Sequence, residues 1–164
     1  MKRILLVSLL LPKLAFAQLT YQDFKYLADT TPQKSVELIK SKGYRFENTY
    51  DLNELITNLI FYKYNKPDNS INSSVSIAFA ENSKNVIIYQ EYKRNIQKTV
   101  EETAKKLGYK FIKQSYGDDG ICDLYESTNY RLRTCESYDE EYNKTNFMIL
   151  FHRIDFAENN DKGE

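Results

Sequence analysis

The sequence is short of the residues on which much enzyme chemistry depends. Its 164 residues include no tryptophan, two cysteines and one histidine, His152. A Ser–His–Asp or Cys–His mechanism would need that histidine, and no serine lies in a nucleophile-elbow context. His152 ends an apolar run on the side of Met148 and Leu150, as is typical of a partly buried structural histidine. No catalytic, metal or nucleotide motif stands out, so neither a cofactor nor a bound metal is expected.

The N-terminal segment has the form of a secretory signal peptide. It begins with the basic pair Lys2–Arg3, continues with the apolar run Ile4–Leu11 and closes with Ala15–Ala17. A charged start, a short apolar stretch and a small-x-small end are typical of such signals. The apolar run is far below the roughly 20 residues that span a bilayer, and no later stretch is long or apolar enough. We therefore predict that residues 1–17 are a cleavable signal peptide.

Cleavage would leave residues 18–164 as an exported chain in the periplasm or the medium. Gln18 is not the cysteine of a lipoprotein signal, so no membrane insertion is expected after cleavage. Residues 1–17 hold three of the 23 basic residues and none of the 23 acidic ones, which leaves a net charge of −3. An acidic chain lacks the basic footprint needed for nucleic acid, which is not expected as a partner. Residues 157–164 are polar without periodicity and are predicted to be a disordered tail.

Two stretches of the chain resemble each other. The first begins at Gln33–Glu37 (QKSVE) and ends at Gly43–Phe46 (GYRF). The second begins at Gln97–Glu101 (QKTVE) and ends at Gly108–Phe111 (GYKF). Each start has apolar residues at helical spacing, and each glycine stands where a helix C-terminus favours left-handed backbone. The sequence therefore predicts an internal repeat in which a helix leads into a strand.

Three further strand-like runs follow each helix and its first strand, with turn-rich segments between them. The runs lie at 59–65, 74–80, 85–91, 121–127, 130–136 and 146–154. A short helix capped by Thr20 and Asp23 is predicted before the first repeat. The predicted fold class is α+β, with two tandem units, each a helix plus a four-stranded antiparallel sheet. The unit boundaries are 18–92 and 93–156.

This order of elements is similar to that of the tandem helix-plus-four-strand inhibitor proteins, the β-lactamase inhibitory protein-like family. The resemblance covers most of residues 18–164, but only as an order of elements. No motif matches residue by residue, so no binding residue carries over. The resemblance implies a concave sheet that grips another protein, which is an analogy of fold and does not determine function.

The two cysteines are predicted to form a disulfide, because they are the only pair in an exported chain. If Thr128–Asn129 is the hairpin turn, Cys122 faces Cys135 and Glu126 faces Arg131. The cysteines then occupy a non-hydrogen-bonded pair, where the strands lie closest. Their spacing is not the Cys-x-x-Cys of a redox or metal pair. We expect a structural crosslink.

The aromatic residues suggest a contact surface. The chain has 14 Tyr and 9 Phe. By alternation along their strands, one smooth sheet face is predicted to carry Tyr62, Tyr64, Ser76, Ala78 and Tyr89. Tyrosines beside small residues form a shallow platform suited to protein contact or sugar stacking. The alternative is that this face packs against the other unit or a loop.

Two acidic clusters, Asp118–Asp119 and 139–141, offer other chemistry. Neither has the spaced oxygen ligands of a Ca²⁺ loop, and the first is better explained as a turn between glycines. Paired carboxylates could serve a glycosidase, but nothing places two across a cleft. We therefore expect an exported non-enzymatic binding or inhibitory module, with another protein or a glycan as its partner. The alternatives are an envelope structural or assembly factor, and a hydrolase acting on envelope polymers.

Overall fold

Three helices and eight strands make up the part of the chain that the computed structural model describes, residues 18–53, 56–65, 68–80, 85–118, 120–140 and 143–154. The helices are α1 (Tyr21–Asp29), α2 (Pro32–Ser41) and α3 (Asn95–Lys106). The strands are β1 (Arg45–Asn53), β2 (Ile56–Tyr64), β3 (Ile71–Ala80), β4 (Val86–Glu91), β5 (Lys110–Gly117), β6 (Gly120–Glu126), β7 (Tyr130–Asp139) and β8 (Lys144–Arg153). The predicted signal peptide, 1–17, and the predicted tail, 157–164, lie outside the described residues.

All eight strands form one antiparallel sheet in the order β1-β2-β3-β4-β8-β7-β6-β5. The strands that end the first and second halves of the chain pair at its centre, with Ile87 opposite Phe151. Each of the six predicted runs overlaps one of these strands, and the α+β class is confirmed. Because the sheet is continuous across the β4–β8 pair, the division into two helix-plus-four-strand units is not confirmed.

Helix α1 is capped at both ends. The Thr20 hydroxyl accepts the Asp23 N–H at 3.3 Å, and the Asp23 carboxylate accepts the Thr20 N–H at 2.8 Å, as in the predicted capping box. At the other end the Asn85 side chain donates to the carbonyls of Leu27 and Thr30 at 2.6 and 2.8 Å. The residue just before β4 therefore satisfies carbonyls that the last turn of α1 leaves without an intrahelical partner.

Helices α2 and α3 end in the same way. Gly43 and Gly108 both have φ of 84°, the left-handed region that glycine enters without steric cost. The next residues, Tyr44 and Tyr109, donate their N–H groups to the carbonyl five residues earlier at 3.3 and 3.1 Å. Each glycine N–H donates to the carbonyl three residues earlier. This is a Schellman motif in both places, and the predicted glycine C-caps are confirmed.

The core lies between the helices and one face of the sheet. The Phe24 ring of α1 packs edge-on against Tyr89 of β4, with centroids 5.9 Å apart, and lies 6.2 Å from Phe151 of β8. Tyr21 packs edge-on against the same Phe151 at 5.9 Å. One helix therefore contacts the last strand of each half of the chain, and the two halves share a hydrophobic core.

The β6–β7 hairpin has the predicted register and disulfide. Cys122 lies opposite Cys135 and Glu126 opposite Arg131. The two cysteines are bonded, with their Cα atoms 4.0 Å apart, a separation typical of a non-hydrogen-bonded pair. The Arg131 guanidinium lies 2.6 Å from the Glu126 carboxylate. The pairing predicted from the turn at Thr128–Asn129 is confirmed.

Candidate binding surface

The sheet face turned away from the helices is the candidate surface. Paired residues share a face, so one row of side chains can be followed from β2 across to β6. That row is Ile60, Ser76, Ile88, Leu150, Arg133 and Leu124. We call the face that carries it the open face. All six side chains are half-buried, and no helix among the described residues packs on them.

A second row runs beside the first on the open face. It consists of Tyr62, Ser74, Gln90, Met148, Cys135 and Cys122. Aliphatic, sulfur-containing and aromatic side chains thus cross six strands, interrupted by two serines, one glutamine and Arg133. A broad surface with apolar groups set among polar ones is typical of protein contact sites.

Four of the five predicted platform residues lie together. Tyr62, Ser76 and Ala78 belong to the open face by their pairing. Tyr64 follows a register shift, and its ring packs edge-on against Tyr62 with centroids 6.2 Å apart. The Tyr64 hydroxyl donates to the Glu47 carboxylate at 3.1 Å. The tyrosine pair therefore stands at the β1–β2 end of the open face.

The placement of Tyr89 must be corrected. Its side chain is 1% exposed and lies opposite Val75 and Ile149 on the helix-covered face. Strand β4 turns Ile87 and Tyr89 inward, so it is Ile88 and not Tyr89 that belongs to the open face. The four apolar residues Val86–Tyr89 before Gln90 do not reveal which alternating set points inward, and the pairing with β3 decides it.

Glu91 is a structurally important residue that the sequence interpretation missed. It is 7% exposed, and its Oε1 accepts the N–H groups of Ile96 and Gln97 at 2.7 and 3.1 Å. Its Oε2 accepts the Tyr89 hydroxyl at 3.0 Å. Glu91 therefore caps α3, since the N-cap residue Arg94 makes no side-chain cap bond. Burial raises the pKa of the Glu91 carboxyl. The sequence does contain a signal for this role. Glu91 continues the alternating set of Ile87 and Tyr89, which places its carboxylate on the buried face of β4.

A glycosidase would need two carboxylates that face a cleft. Glu91 and Asp139 both line a cavity of about 210 Å³ near Tyr62 and Gln90. The Glu91 carboxylate already accepts two helix N–H groups and a tyrosine hydroxyl, so proton transfer there would compete with the cap of α3. This cavity therefore gives the hydrolase alternative no specific support.

Asp118 and His152, which the sequence analysis considered for catalysis or metal binding, lie in a turn and in a buried position. Asp118 lies in the turn that joins Gly117 to Gly120, while Asp119 and 141–142 lie outside the described residues. His152 is 7% exposed, with its Nδ1 2.6 Å from the carbonyl of Arg153, the buried placement expected for it. Within the described ranges, no group of three His, Cys, Asp or Glu side chains is arranged to hold a metal.

The open face is uncharged over β2–β4 and carries mostly basic charge over β5–β7. Its residues on β2, β3 and β4 are aromatic, aliphatic, hydroxyl or amide side chains. Across β7 and β5 the same face carries Arg131, Arg133, Lys110 and Lys113, with Glu126 between them. The basic side offers charge complementarity to an acidic partner, although residues 18–164 as a whole are acidic.

Comparison of the chain with protein-family models, with curated proteins and with solved structures finds no match. The described part of the chain contains no helix with the length and apolarity needed to cross a bilayer. The function is therefore inferred from the geometry of the open face itself.

Proposed function

We propose that the chain is an exported, non-enzymatic binding or inhibitory module that holds another protein on its open face. The observation that supports this function is the continuous sheet whose helix-free face carries a row of half-buried side chains across six strands, with a second row beside it. Half-buried apolar groups gain further burial when a partner covers them, at roughly 25 cal/mol per Å² of apolar surface. A protein is the partner best suited to cover a surface of that breadth.

The proposal includes export and a tandem organisation. Residues 1–17 act as the signal peptide, and the Cys122–Cys135 disulfide is consistent with an oxidising compartment. Two helix-plus-four-strand units, 18–92 and 93–156, are related by duplication. The matching Schellman motifs at Gly43 and Gly108 support that relationship.

The test is an affinity capture from native envelope and culture medium with residues 18–164. The open-face variant is Tyr62→Ala with Ile88→Ala, which removes one side chain from each row. The matched control is Tyr26→Ala on α1, whose ring is 46% exposed on the helix side. We expect the parent and the control to retain the same protein and the open-face variant to lose it.

Circular dichroism of all three chains must first show the same folded state. Retention of the same protein by the open-face variant would contradict the assignment of the site. Capture of envelope polysaccharide with no protein would overturn the protein partner in favour of a glycan. Release of cleaved envelope polymer by the parent chain would favour the hydrolase. Absence of any specific capture would leave the structural or assembly role.

A further inference from the structure

Strand β5 is an edge strand with an unpaired side. It stands last in the sheet order, and within the described residues no strand pairs with its outer edge. Gly117 pairs with Gly120 across a two-residue turn, so the hydrogen-bonded pairs with β6 alternate from that point. By that alternation Lys113 and Ser115 direct their N–H and C=O groups to β6, and Gln114 and Tyr116 direct theirs outward. A free edge of this kind is a template for another strand.

The side chains of β5 add apolar surface to this free backbone. Phe111, Ile112 and Tyr116 are 56, 47 and 75% exposed, and Leu107 just before the strand is 55% exposed. Seven of the eight residues of β5 are exposed, and Ser115 is half-buried. A single register shift interrupts the pairing with β6, at Ile112, which leaves Lys113–Gly117 as a regular stretch.

The charged side chains of β5, and of the residues just before it, are all basic. From Lys105 to Gly117 the chain has four lysines and no acidic residue, and Lys106, Lys110 and Lys113 are exposed. The other edge strand, β1, contains Arg45, Glu47 and Asp51 and has two register shifts. Of the two edge strands of the described sheet, β5 is therefore the one that combines regular free backbone with charged side chains that are all basic.

We propose that β5 binds an extended acidic segment of a partner protein as a ninth strand of the sheet. The backbone of Gln114 and Tyr116 supplies the hydrogen bonds of strand addition. Apolar side chains of the segment pack beside Tyr116 and Ile112, and its carboxylates lie beside Lys110 and Lys113. A second copy of this chain is a poorer occupant, because it would bring two basic edges together. This site borders the open face, which also carries Lys110 and Lys113, but its hydrogen bonds are made at the strand edge and do not depend on the proposed function.

The experiment is a selection of displayed random twelve-residue peptides on residues 18–164, followed by binding of the enriched peptides in solution. We expect sequences in which acidic and apolar residues alternate. The charge-reversed variant Lys110→Glu with Lys113→Glu should weaken their binding by about tenfold or more, since attraction becomes repulsion at two positions. Lys34→Glu with Lys40→Glu on α2 is the matched control and should leave binding unchanged.

Amide hydrogen exchange by NMR locates the added strand. The peptide should slow exchange of the Gln114 and Tyr116 amides, while those of Lys113 and Ser115 are already protected by β6 in the free chain. Equal binding by the charge-reversed variant, or protection elsewhere than β5, would overturn the proposal. Concentration-dependent dimerisation that protects the same two amides would overturn it in favour of a second copy.

Discussion

The β1–β4 and β5–β8 halves of the sheet have the same local structure and different surfaces. Each half begins with an edge strand whose phenylalanine is exposed, Phe46 at 46% and Phe111 at 56%. Each of those rings packs on an aromatic ring of the next strand, Phe61 or Tyr125, with centroids 5.6 Å apart. The preceding helices end in the same motif. Similar short sequence signals therefore give the same helix end, and the same start of the following strand, in both halves.

The differences lie in the contacts between elements. Gln33 of α2 is exposed, whereas its counterpart Gln97 of α3 is 2% exposed and donates to the Cys135 carbonyl at 3.1 Å. The open face is crosslinked and basic in the β5–β8 half, and uncharged over β2–β4. Similar helix and strand signals thus support two different surfaces.

The largest expected effect concerns the core that joins the halves. Phe24→Ala removes a buried ring between Tyr89 and Phe151, and we expect it to lower the free energy of unfolding by about 3–5 kcal/mol. Urea unfolding followed by circular dichroism gives the free energy. Hydrogen exchange should show that β2 and β7 are destabilised together, because both halves lose the same contact.

Destabilisation confined to one half would show that the halves fold independently, and would contradict a shared core. The control is Tyr26→Ala on the same helix, where a 46% exposed ring is removed. Because that ring is only partly buried, its loss should cost much less than the loss of Phe24.

The next prediction concerns a feature that distinguishes the β5–β8 half, its disulfide. Replacing Cys122 and Cys135 by serine removes a crosslink between residues 13 apart, and we expect a loss of about 3 kcal/mol. The control is Ser74→Ala, in the same open-face row of the β1–β4 half, with an expected change within about 0.5 kcal/mol. Urea midpoints of both variants and of the reduced parent give the comparison. A disulfide variant as stable as the parent would contradict a structural role for the crosslink.

Local signals predicted much of this fold. The capping box at Thr20, the glycine ends of α2 and α3, and the register that joins Cys122 to Cys135 each depend on residues close in sequence. The association of all strands into one sheet did not follow, because it depends on β4 pairing with β8 from the other end of the chain. Tyr89 was misplaced for the same reason: only the pairing with β3 and β8 shows which face of β4 is buried.

A smaller effect concerns how helices α2 and α3 begin. Glu91→Ala leaves the Ile96 and Gln97 N–H groups of α3 without their acceptor, and should cost about 2 kcal/mol. Thr31, the N-cap residue of α2, makes no side-chain cap bond, so Thr31→Ala should change stability by less than about 0.5 kcal/mol. Thermal and urea unfolding of both variants test this difference. Equal costs would show that Glu91 does not act as the cap.

Glu91 should also give the stability a pH dependence. Because burial raises its pKa above the ordinary carboxyl value, the folded state binds the proton more tightly than the unfolded state. Stability from this group is therefore present at low pH and is lost as pH rises through the raised pKa. We expect the parent to lose stability relative to Glu91→Gln as the pH rises above the ordinary carboxyl pKa of about 4.3. A difference that stays constant over this range would contradict a raised pKa.

The smallest effect tests the similarity of the halves directly. Gly43→Ala and Gly108→Ala each place a Cβ on backbone with φ of 84°, and each should cost about 1 kcal/mol. At Gly108 an added Cβ would meet no heavy atom within 4 Å, so its cost comes from the backbone conformation alone. Gly117→Ala, equally uncrowded and without a positive φ, is the control and should cost less.

Costs for Gly43 and Gly108 that agree within about 0.5 kcal/mol would show that the same motif stabilises both helix ends. A cost at Gly108 no larger than at Gly117 would show that the C-terminal cap of α3 contributes nothing, and that packing alone holds that end.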